Sequence, residues 1–257
     1  MTTFCDDDEL GYRRSRTVFR VGEGLHLDES YRRAHLPLVA PDHPGVIREE
    51  RGYRMGRRAP MRSVVVPVPG EALEAAPAFR ALDAALRAAP FAGKLAWPLL
   101  ARRRDRLHAT LAGLGPADAA QPLGAEQRAA LARLGPVAVE LRGLFSGTIN
   151  LGRLYLRAYP ERRGDENAFR LIQRALGRPE TDLALVGLHN LTDDLSAPEA
   201  EALAHLIAEA WDRPLLRFTV DRLWLLESRD DLVLDAAVID TPSLGGTPDR
   251  GKTVGFR

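Results

Sequence analysis

A β-strand is predicted for the stretch Arg106-Leu107-His108-Ala109-Thr110-Leu111-Ala112-Gly113-Leu114, because its apolar residues follow the pattern of a strand. The rest of the fold is predicted from this strand. In a strand, residues two positions apart point to the same face. His108 and Thr110 are therefore expected side by side, where an imidazole can move a proton and a hydroxyl can hydrogen-bond an anionic oxygen. A second histidine, His189, lies in a similar apolar run from Leu183 to Leu191. The chain thus offers two strand histidines as an acid/base pair.

The segment His108-Ala109-Thr110-Leu111 resembles the His-x-Thr/Ser-hydrophobic signature of the 2H phosphoesterases, the superfamily of 2′-5′ RNA ligase-like proteins and cyclic phosphodiesterases. That family carries two such signatures. The second one here, His189-Asn190-Leu191-Thr192, departs from the pattern, because Leu191 stands at the hydroxyl position and Thr192 comes one residue late. A β-bulge would bring Thr192 back into phase. The resemblance implies an α+β, bilobal fold, with two mainly antiparallel sheets around a central cleft and helices outside.

The same resemblance implies a function, namely metal-independent cleavage of ribose-linked phosphodiesters such as a 2′,3′-cyclic phosphate or a 2′-5′ linkage. His108 and His189 would be the general acid and base, and Thr110 and Thr192 would hold phosphate oxygens. No cofactor and no metal are expected, and RNA ends or small cyclic nucleotides would be the substrates. The alternative is a non-catalytic RNA-binding or regulatory protein with a degraded fold of this family, which the missing hydroxyl at Leu191 favours.

A second candidate ligand surface follows the predicted turn Asn150-Leu151-Gly152. The residues after it alternate between an apolar face and a polar, aromatic face that carries Arg153, Tyr155, Arg157 and Tyr159. If the polar face lines the cleft, Tyr155 can stack on a base and Arg157 can hold a phosphate. The alternative is an ordinary outer face in contact with water.

Residues 61–241 form the predicted domain, whose patterns give the order strand, helix, strand, helix, two strands, helix, strand, helix, two strands. Lys94 to Pro98 is predicted as a short strand, and the closing strands as Arg217 to Leu226 and Leu232 to Ile239, with a turn at Ser228–Asp231. Helix capping by Asp165 is expected before Phe169. Residues 242–257 are predicted to be a flexible tail.

Residues 1–60 differ in composition from the rest of the chain, with eleven arginines and ten acidic residues and no sustained helical or strand period. We predict an irregular, Arg-rich N-terminal extension, either an extended arm that lies on the core or a partly disordered segment. Its arginines from Arg48 to Arg58 could follow a phosphate backbone, or they could pair with the acids of the same segment.

Composition, net charge and cysteine content exclude several classes of protein. The 257 residues are 45% hydrophobic and 28% charged, as in ordinary globular proteins, and a net charge of +1 argues against a general polyanion binder. A single cysteine, Cys5, permits no intramolecular disulfide, and there is no secretory signal or apolar run long enough to span a membrane. These features predict a cytoplasmic protein without a membrane partner. They carry no signal for an oligomeric state.

Two other patterns are given less weight. The segment Gly246–Thr253 fits the GxxxxGKT motif, but only four residues follow it here, too few for the helix that a P-loop requires. The remaining histidines, His26, His35, His43 and His205, have no spacing that is typical of a metal site.

Overall fold

The computed structural model describes residues 2–245 and has an α+β architecture, with helices around a large antiparallel sheet, as predicted. The strands are, in chain order, β1 (Glu49–Glu50), β2 (Tyr53–Arg54), β3 (Arg57–Pro67), β4 (His108–Pro116), β5 (Val137–Ser146), β6 (Arg153–Pro160), β7 (Arg162–Arg163), β8 (Glu166–Asn167), β9 (Leu185–Asn190), β10 (Pro214–Val220), β11 (Trp224–Asp230) and β12 (Ala236–Asp240). The helices are α1 (Glu29–Ala34), α2 (Leu36–Val39), α3 (Gly70–Ala75), α4 (Pro77–Ala88), α5 (Pro98–Arg103), α6 (Ala125–Leu134), α7 (Ala168–Ala175) and α8 (Ala197–Ala210).

Ten strands form one sheet in the spatial order β1-β2-β3-β4-β9-β6-β5-β10, with β11 paired to β3 and β12 paired to β11. Every pairing in this sheet is antiparallel. The strands β4 and β9 meet through one residue pair, Ala109 opposite Val186. The two predicted sheets are therefore the two halves of one sheet, one half built around β3, β4 and β11 and the other around β9, β6 and β5.

The helices form where a residue that favours a helix start precedes apolar residues at helical spacing. Pro77 occupies the start of α4, whose buried residues Phe79, Leu82 and Leu86 recur at helical spacing. The predicted capping box begins α8, since the backbone N–H of Ser196 donates to Oε2 of Glu199 at 2.7 Å. Helix α8 packs on β5, α4 on β10, and α7 on β4, so the helices cover the sheet.

The N-terminal segment of residues 2–60 is irregular over most of its length, and it packs against the rest of the chain as an arm on the core rather than as a disordered extension. Tyr12 is fully buried, and its hydroxyl donates to the carbonyl oxygens of Ala158 and Ala184, both at 2.8 Å. Further buried apolar side chains of this segment include Cys5, Leu10, Leu25, Leu27, Tyr31 and Leu36. Single buried side chains attach the segment to the core. They do not recur at helical or strand spacing, so the apolar pattern of the sequence does not predict their burial.

Several predicted boundaries were wrong for local reasons. Lys94–Pro98 is not a strand, because Pro98 begins helix α5. Asn167, not Asp165, caps α7, and its Oδ1 accepts the N–H of Phe169 at 2.8 Å. The predicted strand over Arg217–Leu226 is divided between β10 and β11.

The predicted turn at Ser228–Asp231 lies slightly later, in a loop over residues 231–235. Strand β11 continues to Asp230, whose carboxylate accepts the backbone N–H groups of Leu232, Leu234 and Asp235 at 2.9, 3.0 and 2.7 Å. These three hydrogen bonds fix the loop, which packs Val233 against Val65 and Leu226 of the sheet.

The beginning of the predicted C-terminal tail is attached to the sheet. Leu244 is buried, and the N–H of Leu223 donates to the carbonyl oxygen of Pro242 at 2.9 Å. Residues 246–257, which contain the GxxxxGKT pattern, lie outside the described residues. Within residues 2–245, every helix is too short or too polar to cross a lipid bilayer.

Candidate functional site

A cavity of about 430 Å³ lies between the two halves of the sheet and contains the predicted strand residues of β4. His108 and Thr110 both line it, as their spacing of two residues predicts for one face of a strand. Strand β6 contributes Arg153 and Tyr155, and β9 contributes Gly187. The volume is within the range of small-molecule sites. The cavity is therefore the candidate functional site.

The hydrogen bond of His108 determines which of its nitrogens is free. Its Nδ1 lies 2.7 Å from the carbonyl oxygen of Arg106, and since a carbonyl only accepts, Nδ1 carries the proton. Burial lowers the pKa of His108 to about 4, helped by Arg153 and Arg103, although the bond to Arg106 opposes the shift. The imidazole is neutral at pH 7. Its Nε2 lone pair is then available to accept a proton.

Five arginines line the same cavity, namely Arg58, Arg62, Arg103, Arg106 and Arg153. Arg103 is only 1% exposed, and its Nη2 donates to the carbonyl oxygens of Gly187 and Leu188 at 2.6 and 3.2 Å. Its Nε and Nη1 have no hydrogen-bond partner within residues 2–245. Burial, and then the charge of Arg153, lower the pKa of Arg103 to about 9. Buried donors without partners mark a place where an anion can bind.

Arg153 links the cavity to the N-terminal segment. Its Nη1 donates to Nε2 of His35 at 3.0 Å and to the carbonyl oxygen of Asp231 at 2.9 Å. His35 is fully buried and stacks on Tyr31 with ring centroids 5.1 Å apart. Burial, followed by the charge of Arg153, lowers the pKa of His35 to about 3, so this imidazole is neutral as well. Together, His35 and Asp231 hold the guanidinium of Arg153 at the cavity.

The structure does not bring His189 to this cavity, which corrects the predicted histidine pair. Gly187 lies opposite Tyr155, but His189 lies opposite Leu154, so Leu188 is an extra residue in β9. This bulge reverses the alternation, and His189 turns to the core face that it shares with Leu154. There it is 2% exposed and contacts the ring of Trp97 at a centroid distance of 4.9 Å. Asn190 lies opposite Arg153, is buried, and is not among the residues that line the cavity.

Two predicted ligand-binding residues also lie outside the cavity lining. The Oγ1 of Thr192 donates to the carbonyl oxygen of Lys94 at 3.2 Å, in a loop beside the buried Leu191. Arg157 is fully buried, and its Nη1 donates to Oδ1 of Asp7 at 2.9 Å. The N-terminal segment therefore occupies the face where Arg157 was expected to meet a phosphate. The arginine has a structural ion pair instead.

Tyr155, in contrast, lies where a ligand can reach it. It lines the cavity, and the guanidinium of Arg153 lies 5.3 Å from its ring centroid. Burial raises the pKa of its hydroxyl, which stays protonated at neutral pH. Tyr155 can therefore donate a hydrogen bond or pack against a bound ring.

The sequence interpretation missed Arg103, Arg106 and His35. Arg106 carried a detectable signal, because it lies two residues before His108. Arg103 and His35 reach the cavity only through helix α5 and the packed N-terminal segment, and no spacing in the sequence connects either of them to His108. Within residues 2–245 there is no group of three or more His, Cys, Asp or Glu side chains that could hold a metal ion.

Comparison with known proteins yields little that bears on function. No family model matches the chain, and no curated protein matches it. Among solved structures, the chain is similar to TT0787 of Thermus thermophilus, with 16% sequence identity, coverage of 72% of this chain and 98% of that chain, and a TM-score of 0.38. The functional interpretation of the cavity therefore depends on its own geometry.

Proposed function

We propose that the cavity binds the phosphate of a ribose-linked phosphodiester and that the protein hydrolyses it without a metal ion, with a 2′,3′-cyclic phosphate or a 2′-5′ linkage as substrate. One observation carries the proposal. His108 and Thr110 open into the same cavity as the buried guanidinium group of Arg103 and the half-buried one of Arg153. Arginine donors suit phosphate oxygens, and a neutral imidazole suits proton transfer.

His108 is the proton acceptor in this proposal. With Nδ1 bonded to the carbonyl of Arg106, Nε2 takes a proton from the water that attacks phosphorus. The Thr110 hydroxyl and the free N–H groups of Arg103 hold the non-bridging oxygens, on which negative charge builds. The bond from phosphorus to one ribose oxygen breaks, and that oxygen receives a proton from water.

A second candidate function is non-catalytic binding of an RNA end. The position of His189 favours it, because this histidine faces the core and the cavity lacks the expected second proton carrier. The other imidazole of the lining, His35, accepts a hydrogen bond from Arg153. It therefore supports the arginine rather than offering a free nitrogen.

Turnover separates the two functions. The protein, with EDTA, is incubated with 2′,3′-cyclic nucleotides and with a 2′-5′-linked dinucleotide. We expect cleavage by the wild type, a loss of about 100-fold or more in His108→Ala, and a comparable loss in Thr110→Val. His205→Ala is the matched control, since the His205 side chain is 72% exposed and remote from the lining. Binding of these ligands without cleavage would replace the enzyme proposal with the RNA-binding one.

A further inference from the structure

The arginines of the cavity fall into two groups that differ in their partners. Arg58 forms a two-pronged bond to Oδ1 of Asp231, through Nε at 3.1 Å and Nη2 at 2.7 Å. Arg62 donates from Nε to Oε2 of Glu227 at 3.0 Å. These two guanidinium groups are neutralised by carboxylates of the protein.

The other three arginines have no carboxylate at ion-pair distance among residues 2–245. Arg103 donates hydrogen bonds to backbone carbonyl oxygens. Nη1 of Arg106 lies 3.4 and 3.3 Å from the carbonyl oxygens of Val233 and Leu234. Arg153 bonds to a carbonyl and to the neutral His35. One buried nitrogen of Arg153 and two of Arg103 have no acceptor in the described part of the chain.

The charges that face the cavity therefore do not balance. Among residues 2–245, the five guanidinium groups of the lining meet two carboxylates of the lining, Asp230 and Asp231, and a third outside it, Glu227, which pairs with Arg62. Both histidines and Tyr155 are neutral, and the Asp230 carboxylate is already engaged by three backbone N–H groups. An excess of two positive charges remains. Arg103 is buried and the other four arginines are partly withdrawn from water, which is unfavourable for their charge unless a ligand compensates it.

We propose that the preferred ligand of the cavity is a ribose phosphomonoester in its dianionic form, such as a terminal 2′- or 3′-phosphate of a nucleotide or an RNA chain. This inference rests on the phosphate binding proposed above. A cyclic or linear phosphodiester has one negative charge, which leaves one positive charge uncompensated. A phosphomonoester has up to two at neutral pH and three terminal oxygens for the free donors of Arg103 and Arg153.

This preference has a consequence for the reaction. Water adds its oxygen to phosphorus as the bond to one ribose oxygen breaks, and loss of a proton then gives the dianionic monoester. The product is thus bound more tightly than the substrate. The bound product therefore competes with the substrate for the cavity.

Equilibrium binding tests the inference without any need for turnover. A nucleoside 2′-monophosphate and the corresponding 2′,3′-cyclic monophosphate are titrated calorimetrically at pH 7.5 and pH 5.0. We expect the monoester to bind at least tenfold more tightly at pH 7.5 and about equally at pH 5.0, because its phosphate takes up a proton with a pKa near ~6. His108 and His35, with pKa values of about 4 and 3, stay neutral over this range.

Variants of Arg103 and Arg153 test whether these two arginines cause the preference for the phosphomonoester over the cyclic phosphodiester. Arg103→Gln and Arg153→Gln should each reduce it to less than about threefold, because each removes a guanidinium charge and its free donors. Arg102→Gln is the matched control, since Arg102 belongs to the same helix but is exposed and outside the lining. Thermal melts establish that each variant is folded. If Arg103→Gln does not fold, Arg153→Gln alone tests the inference.

Equal affinity for the two ligands at pH 7.5, or a preference that persists at pH 5.0, overturns the inference even if cleavage is observed. Failure of both ligands to bind overturns it together with the proposed phosphate binding. Preferential binding of the monoester without any cleavage supports the inference and removes only the enzymatic part of the proposed function. The two proposals can therefore fail separately.

Discussion

Replacement of His189 by phenylalanine should stabilise the protein, because the histidine is a buried polar group without a polar environment. Both ring nitrogens are buried and have no hydrogen-bond partner within residues 2–245. The ring is 2% exposed and makes an edge contact with Trp97, at an interplanar angle of 68°. An apolar ring of similar shape keeps this contact and removes the two polar atoms.

The expected gain follows from the cost of unsatisfied polar atoms. A buried donor or acceptor without a partner costs about 1–3 kcal/mol, and the larger phenyl ring costs roughly 1 kcal/mol in overpacking. We expect His189→Phe to raise the free energy of unfolding by about 1–2 kcal/mol at pH 7.5.

The stability advantage of His189→Phe over the wild type should increase as the pH falls. Burial lowers the pKa of His189 from 6.5 to about 4, so the unfolded chain binds the proton more readily than the folded chain. The wild type is therefore destabilised progressively as the pH falls from about 6.5 toward 4. At ~1.4 kcal/mol per pKa unit, the loss from this group approaches roughly 3 kcal/mol, and the variant does not suffer it.

Urea denaturation followed by circular dichroism at pH 7.5, 5.5 and 4.5 measures both effects. His205→Phe is the control, because that side chain is exposed and its replacement removes no buried, unpartnered polar atoms. A variant that is less stable than the wild type at pH 7.5, or equally sensitive to acid, would refute the reasoning. Loss of phosphodiester cleavage in a folded His189→Phe protein would return this histidine to the reaction.

Three further predictions concern the N-terminal segment and the cavity. Asp7→Asn should lower the free energy of unfolding by about 3–5 kcal/mol in chemical denaturation, because it leaves the buried Arg157 without its carboxylate. Tyr12→Phe should lower it by about 1–3 kcal/mol, because the carbonyl oxygens of Ala158 and Ala184 lose the hydroxyl donor and Ala184 keeps the N–H of Ala158; a smaller effect would show that water replaces the hydroxyl. If cleavage occurs, its kcat/KM should stay flat from pH 8 to about 5 and fall as His108 gains a proton near pH 4; a fall centred near pH 6.5 would contradict the buried, neutral base.

The sequence predicts those parts of the site that depend on regular alternation. His108 and Thr110 share a face because a strand repeats every two residues, and no tertiary information is needed for that inference. The same rule fails in β9, where the extra residue Leu188 reverses the face of everything after it. A bulge of one residue leaves no mark in the pattern of apolar residues, so the burial of His189 could not be read from the sequence.

The arginines of the cavity show a second limit of sequence inference. Arg103 stands within Arg102-Arg103-Arg104, where composition alone suggests a solvated basic loop. Helix α5 instead turns the middle arginine to the interior, where it is 1% exposed, and leaves Arg102 outside. Which member of such a run is buried depends on how α5 packs against β9, a contact between residues that are far apart in the chain.

The anchoring of Tyr12 has a consequence for synthesis on the ribosome. Its two carbonyl acceptors, on Ala158 and Ala184, lie 146 and 172 residues further along the chain. At about 5–20 residues per second, roughly ten seconds or more separate the emergence of the tyrosine from that of its second acceptor. Until then the tyrosine lacks its second acceptor. Its insertion must therefore be a late event in folding, after β6 and the entry to β9 have left the exit tunnel.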